Sequence, residues 1–184
     1  RKVRNSSLPD QKNPPACHKS GSCPVSRGEM NTETTTDKPR IEHWKAAPEA
    51  MKAMLALATT VRGLGIDPGL LELIKLRVSQ INGCAYCVDM HFTDAKKRGE
   101  SEQRLNLLPY WHEVTLYTPQ ERAVLRWLEA LTKLPGGHVS DEDFEEIHRF
   151  YDDAEITKIT LAIVTINGWN RFGVGFRIPI GYKA

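Results

Sequence analysis

Apolar residues recur at intervals of three and four along most of this chain, the spacing that places side chains on one face of an α-helix. The first such stripe starts after Pro48 and ends at Gly63. The second starts at Asp67-Pro68, where aspartate is a favoured N-cap and proline a favoured first helical residue. Further stripes follow to about residue 172. The pattern therefore predicts a succession of amphipathic helices.

The last stripe, from Ile156 to about Phe172, is apolar almost all round. A run of isoleucine and valine can also form a buried strand, but the chain has no second segment of similar quality to pair with it. We therefore expect a buried helix, either central to the bundle or shared between subunits, and a Gly/Pro-rich tail from Val174 to Tyr182. The expected fold is all-α, a compact multi-helix bundle.

Residues 1–40 differ in composition, because they are polar and nearly lack large apolar side chains. We expect a flexible tail there and one helical domain over residues 41–184, since 184 residues with 40% hydrophobic content can form one sizeable core. Met30 is a candidate natural start, with the residues before it either native or added upstream. Cys17 and Cys23 would make a poor metal site in such a tail.

Charge and cysteine content exclude several classes of protein. The net charge is +2, with +4 in residues 1–40 and −2 in the remainder, so no basic face indicates a nucleic-acid partner. No apolar run approaches the roughly 18 residues of a membrane-spanning helix, and no secretory leader is evident. Four cysteines are too few for a disulfide scaffold. We expect a cytoplasmic protein without membrane or nucleic-acid partners.

A CxxCxxxH motif of Cys84, Cys87 and His91 opens the third helical stripe. At 100° per residue these positions lie at about 0°, 300° and 340°, on one narrow face. Because Asn82-Gly83 breaks the preceding pattern, Cys84 lies at or near a helix N-terminus, where the helix dipole favours thiolate. His91, one turn after Cys87, can accept its proton. The motif predicts a redox-active dithiol.

Other interpretations of the same residues remain open. The two cysteines and His91 could form part of a zinc site, but a fourth ligand would have to come from elsewhere, such as His112 or His148, and neither has motif spacing. The remaining histidines and tryptophans are expected to be surface, packing or subunit-contact residues, namely His43, His112, His138, His148, Trp44, Trp111, Trp127 and Trp169.

The stretch from Glu72 to His91, ELIKLRVSQINGCAYCVDMH, closely resembles the core signature of alkylhydroperoxidase D-like proteins of the carboxymuconolactone decarboxylase superfamily. The later segment from Ile166 to Phe172 resembles the C-terminal helix of that family. The resemblance covers roughly residues 41–180 and leaves out the polar tail.

This resemblance implies an all-α fold and peroxide reduction by a dithiol. It assigns Cys87 as the peroxidatic thiol and Cys84 as the resolving thiol that closes a disulfide. It makes His91 and Glu72 a proton relay that draws the proton from Cys87, directly or through water. Tyr86 lies where some relatives have a histidine; a phenol can pass or orient a proton but is a weak base.

The resemblance also implies partners. The substrate would be a hydroperoxide, and an external dithiol, such as a lipoyl-bearing protein, would reduce the disulfide, with electrons passing in some members to a peroxiredoxin. No metal or bound cofactor is expected. A homo-oligomer is expected, either a trimer or a hexamer built as a trimer of dimers. Two alternatives are a lactone decarboxylase, which would not need a CxxC, and a non-catalytic thiol redox module.

Overall fold

A computed structural model describes residues 37–134 and 137–183 of the chain. Within these ranges the regular structure is helical and contains no β-strand, so the predicted all-α fold is confirmed. The expectations for the polar tail, including Met30, Cys17 and Cys23, fall on residues 1–36 and lie outside the described residues.

Eight α-helices and one short 3₁₀ helix make up the described part of the chain. In order they are α1 (His43–Ala46), α2 (Pro48–Arg62), α3 (Pro68–Ile81), α4 (Ala85–Lys97), α5 (Glu102–Leu107), the 3₁₀ helix (Leu108–Tyr110), α6 (Pro119–Thr132), α7 (Asp141–His148) and α8 (Asp153–Gly175). Local sequence explains where several of them begin. Asp67 caps α3 through its side chain, and Thr118 forms a capping box with Glu121 at the start of α6.

Helix α3 lies in the core of the bundle and packs against α4, α6 and α8. Its side chains Leu73, Ile74, Leu76 and Val78 are at most 1% exposed. Because α3 is covered on several sides, its polar residues are also buried, among them Glu72. Helix α3 therefore brings a carboxylate into the interior beside α4, which carries the cysteine motif.

Helix α8 has a central position, one of the two that the sequence left open, since it contacts α2, α3, α4, α6 and α7. The apolar stretch 156–172 lies inside a longer helix, which begins at a capping box of Asp152 and Glu155. At its other end the Phe176 N–H still donates to the Phe172 carbonyl at 2.9 Å, so Val174 belongs to the helix and not to the tail. None of the described helices has both the length and the apolar character needed to cross a bilayer.

A buried carboxylate, Glu129 on α6, joins α3, α6 and the segment after the 3₁₀ helix. It accepts hydrogen bonds from Arg77 at 2.7 and 2.9 Å, from the Trp111 indole at 2.9 Å and from Lys133 at 2.7 Å. Burial by itself raises the pKa of Glu129, but the hydrogen bonds from Lys133, Trp111 and Arg77 outweigh it and bring the pKa to about 2.

We expect Glu129→Gln to lower the free energy of unfolding by roughly 3 kcal/mol near neutral pH, because a pKa lowered from 4.5 to about 2 corresponds to that difference. The contribution of the ionised Glu129 carboxylate to the free energy of unfolding is fully present above pH 4.5 and is lost as the pH falls toward 2. Urea unfolding at neutral and acid pH measures it. Glu146→Gln, which removes a surface ion pair with Arg149, should change stability by less than about 1 kcal/mol. Equal losses in both variants would contradict the assignment.

Candidate active site

The turn between α3 and α4 places the first motif cysteine. Asn82 ends α3, and Gly83 follows with φ of 67°, a left-handed conformation that favours glycine. Cys84 is then the N-cap of α4, and its Sγ accepts a hydrogen bond from the Cys87 N–H at 3.3 Å. The predicted position of Cys84 at a helix N-terminus is therefore confirmed.

A disulfide joins Cys84 to Cys87, with 5.3 Å between the two Cα atoms. Both side chains are buried, at 2% and 3% exposure. Only Cys87 lies in the wall of the neighbouring cavity. The two cysteines are therefore bonded to each other, and of the two only Cys87 borders that space.

Gly173 of α8 lies directly against this disulfide. A Cβ added at Gly173 would lie 2.5 Å from Cys84 Sγ, closer than real Cβ atoms approach, and 3.2 Å from Cys87 Sγ, a tight contact. The absence of a side chain at this position is therefore what lets α8 pack on the redox pair. No pattern in the sequence distinguishes this glycine from the others in α8, so it was not a predicted site residue.

We expect Gly173→Ala to destabilise the oxidised protein by about 1–3 kcal/mol, the usual effect of overpacking. Thermal unfolding of the oxidised form measures this. Gly175→Ala, in the same helix but with nothing within 4 Å of an added Cβ, is the matched control. A Gly173→Ala protein as stable as the control would show that the disulfide and α8 can separate without loss.

The motif histidine is held by the carboxylate of α3. His91 Nδ1 donates to Glu72 Oε2 at 3.0 Å, and both side chains are buried, with His91 6% exposed and Glu72 4%. An ionised carboxylate can only accept, so this bond places the proton of a neutral imidazole on Nδ1. The other ring nitrogen, Nε2, is buried and has no hydrogen-bond partner among the described residues. His91 therefore presents an unpaired acceptor.

Lys75 completes this arrangement on the far oxygen of the carboxylate. Its ammonium donates to Glu72 Oε1 at 2.9 Å, and Arg98 lies 3.9 Å from the same oxygen. Burial raises the pKa of Glu72, but the hydrogen bonds from His91 and Lys75, with their charges, outweigh it and leave the pKa below its ordinary value. Lys75 was not a predicted site residue, although its position one helical turn after Glu72 could have indicated the pair.

A cavity of about 280 Å³ opens next to the motif. Cys87, His91 and Tyr86 all lie in its wall, as does Lys75. The structure therefore brings four of the five sequence-predicted residues to or beside one space: Cys87, His91 and Tyr86 line it, and Glu72 lies behind His91. Cys84 is excluded from its wall.

The opposite wall is built from residues for which the sequence predicted only packing or surface roles. His43 and Trp44 of α1 and Trp169 of α8 line the cavity. They do pack, since the Trp44 and Trp169 rings stack with centroids 6.3 Å apart, but they also form the cavity surface. Tyr182, which follows α8, lines it as well. The predicted core role is retained by Trp111 and Trp127.

Comparison with known proteins identifies the family. Residues 48–130 match the carboxymuconolactone decarboxylase family. The uncharacterized protein YdfG of Bacillus subtilis (strain 168) is 41% identical over 135 residues, which cover 73% of this chain and 92% of that protein. The chain belongs to the carboxymuconolactone decarboxylase family. The resemblance inferred from the cysteine motif is therefore confirmed.

Several solved structures share the fold of this chain. ATU0492 from Agrobacterium tumefaciens, a protein of unknown function proposed to be the antioxidant defence protein AhpD, is 47% identical, with a TM-score of 0.77 over 79% of this chain and 100% of that one. The debrominase Bmp8 has a TM-score of 0.67 at 22% identity, over 74% of this chain and 73% of its own. At that identity the second likeness concerns the fold alone.

The disulfide form offers no zinc site at the cysteine motif. A disulfide cannot supply two thiolates, and the two proposed fourth ligands have other contacts, since His112 stacks on Trp111 and His148 pairs with Asp153. A separate set, Glu72, His91 and Asp94, has ligand atoms within 4.8 Å of one another. Its carboxylates already pair with Lys75 and Lys97, so neighbouring cations occupy that position.

Proposed function

We propose that the chain is a dithiol peroxidase of antioxidant defence, in which Cys87 reduces a hydroperoxide and Cys84 resolves the product. The observation that carries this proposal is the difference in access: Cys87 lies in the cavity wall together with His91, whereas Cys84 does not. A substrate in the cavity would meet Cys87 first, and Cys84, bonded to Cys87 in the oxidised form, supplies the resolving sulfur.

In the reduced enzyme, the free Nε2 of His91 takes the proton of the Cys87 thiol. Glu72, bonded to Nδ1, holds the ring in the tautomer that leaves Nε2 unprotonated and stabilises the imidazolium that forms. The Cys84 N-cap position adds the positive end of α4 beside the two sulfurs. These residues together favour the Cys87 thiolate.

The thiolate attacks the terminal oxygen of the hydroperoxide, so a sulfur–oxygen bond forms and the oxygen–oxygen bond breaks. The departing alkoxide takes up the proton from His91 and leaves as an alcohol, and Cys87 becomes a sulfenic acid. The Cys84 thiol then attacks the Cys87 sulfur, water departs, and the disulfide remains. Two electrons pass from the dithiol to the peroxide, and an external dithiol restores the pair.

Hydroperoxide consumption by the purified protein with dihydrolipoamide as reductant tests this proposal. We expect catalytic turnover, with one equivalent of alcohol for each equivalent of peroxide and the Cys84–Cys87 disulfide as the oxidised product by mass spectrometry. Muconolactone, tested in parallel, should not be consumed.

The other outcomes assign the site differently. A disulfide that forms without turnover would indicate the non-catalytic redox module, and turnover of muconolactone would indicate the decarboxylase. Either result would overturn the peroxidase proposal.

A further inference from the structure

The charges on the cavity wall have one sign. Among the described residues that line it, the side chains that carry a permanent charge are Arg62 and Lys75, both cations, and no aspartate or glutamate is present. Low-dielectric walls that carry one sign of charge raise the local concentration of the opposite sign. The cavity therefore favours an anion over a neutral or cationic molecule.

The two cations differ in what already neutralises them. Lys75 forms an ion pair with Glu72 behind the wall. Arg62, the last residue of α2, donates to the Thr59 hydroxyl at 3.0 Å and has no carboxylate partner among the described residues. Its guanidinium is exposed and retains donors for a planar, bidentate acceptor such as a carboxylate. Arg62 is therefore the free cation of this cavity.

The rest of the wall is apolar or aromatic. It includes Leu55, Met90 and Ile166 besides the stacked Trp44 and Trp169 rings. The volume, about 280 Å³, is several times the share of about 30 Å³ that one water molecule has in the liquid. Hydrogen peroxide would leave most of this space unfilled, whereas an organic body would bury apolar surface against it.

We propose that the substrate is an organic hydroperoxide whose apolar body carries a carboxylate, and that Arg62 is the residue that selects it. The carboxylate pairs with Arg62, the body lies against the aromatic wall, and the hydroperoxide reaches Cys87. This inference rests on the proposed peroxidase function and changes none of its steps: the peroxide is reduced to the corresponding hydroxy acid, and the two cysteines supply the electrons.

Turnover of a matched pair of peroxides tests the proposal. One is cumene hydroperoxide with a para-carboxylate, and the other is its methyl ester, which has the same reacting group without the charge. We expect the wild type to prefer the acid in kcat/KM by about fivefold, the upper range for an exposed ion pair. The difference should lie in KM, because in this proposal Arg62 pairs with the carboxylate and not with the peroxide group, and it should shrink at high salt.

Arg62→Gln should remove the preference by raising KM for the acid, and Arg62→Lys should retain part of it. Arg149→Gln, an exposed arginine outside the cavity, is the matched control and should keep the full preference. Equal kcat/KM for acid and ester in the wild type, or the same preference in Arg62→Gln, would overturn the proposal.

A binding measurement separates this inference from the peroxidase function. 4-Isopropylbenzoate and its methyl ester carry no peroxide, and quenching of tryptophan fluorescence in the disulfide form reports their binding near Trp44 and Trp169. If the acid binds more tightly than the ester in an Arg62-dependent manner but no peroxide is consumed, the peroxidase proposal fails and the anion site stands. If peroxides are consumed and the acid shows no such advantage, the anion site fails.

Discussion

Cys87→Ser is expected to abolish hydroperoxide reduction, by on the order of 10⁴-fold or more in kcat/KM, because it removes the nucleophile that lines the cavity. Cys84→Ser should also stop turnover, but for a different reason. Its Cys87 should react with one equivalent of peroxide and then stay as a sulfenic acid, because the sulfur that would resolve it is absent. Both variants should therefore lack steady-state turnover, but only Cys84→Ser should react with the first equivalent of peroxide.

Stopped-flow measurement of a single turnover, followed by trapping of sulfenic acid with dimedone, distinguishes them. We expect a dimedone adduct on Cys87 in Cys84→Ser and none at either motif position in Cys87→Ser. Cys17→Ser combined with Cys23→Ser is the control for the remaining thiols and should keep wild-type turnover. A dimedone adduct on Cys84 in Cys87→Ser, with preserved first turnover, would reverse the two roles.

Glu72→Gln is expected to lower kcat/KM for hydroperoxide by about 10²–10³-fold, within the range for loss of general acid–base catalysis. Glutamine can still accept the His91 Nδ1–H, but it carries no charge to stabilise the imidazolium. It also leaves the buried end of Lys75 without its counter-charge. Glu49→Gln is the matched control, because Glu49 forms an ion pair with Lys52 at the same helical spacing but at the surface. It should keep full activity.

The pH dependence follows from the same contacts. In the proposed mechanism the ionised form of Glu72 is the active one, so we expect activity to fall as the pH drops through the pKa of this carboxyl. That pKa lies below 4.5 because the hydrogen bonds from His91 and Lys75 outweigh burial. Lys75→Met removes one of these bonds and should move the acid limb of kcat/KM to higher pH, with Lys75→Arg moving it less. An unchanged acid limb in Lys75→Met would show that Glu72 does not act through its charge.

Local sequence was sufficient to predict most of the helices. Asp67, Thr118 and Asp152 are helix caps that act within one turn, and the breaks at Gly63 and Asn82-Gly83 act over a similar range. The prediction was wrong for the end of α8, because helical hydrogen bonds continue through the glycines that composition alone assigned to a tail.

The cysteine motif could also be predicted from local sequence, because Cys84 is the N-cap of α4 and Cys87 and His91 lie within that helix. The sequence named Glu72 through its register in the family signature, and packing of α3 on α4 brings its carboxylate to His91. The catalytic roles of these residues remain predictions that the variants above test.

The sequence by itself determined the helical class, the helix starts and the redox motif, because each depends on residues within a few turns of one another. The tertiary structure determined which residues line the candidate active site. Gly173 is more than 80 residues from the cysteines that it packs against. Trp44, Arg62 and Trp169 share a cavity wall with Cys87 only because α1, α2 and α8 pack around one space. The periodicity of a sequence predicts that a side chain is buried, but not which distant side chain it faces. The cavity, the charge of its wall and the position of Cys87 in that wall could therefore be seen only in the folded chain.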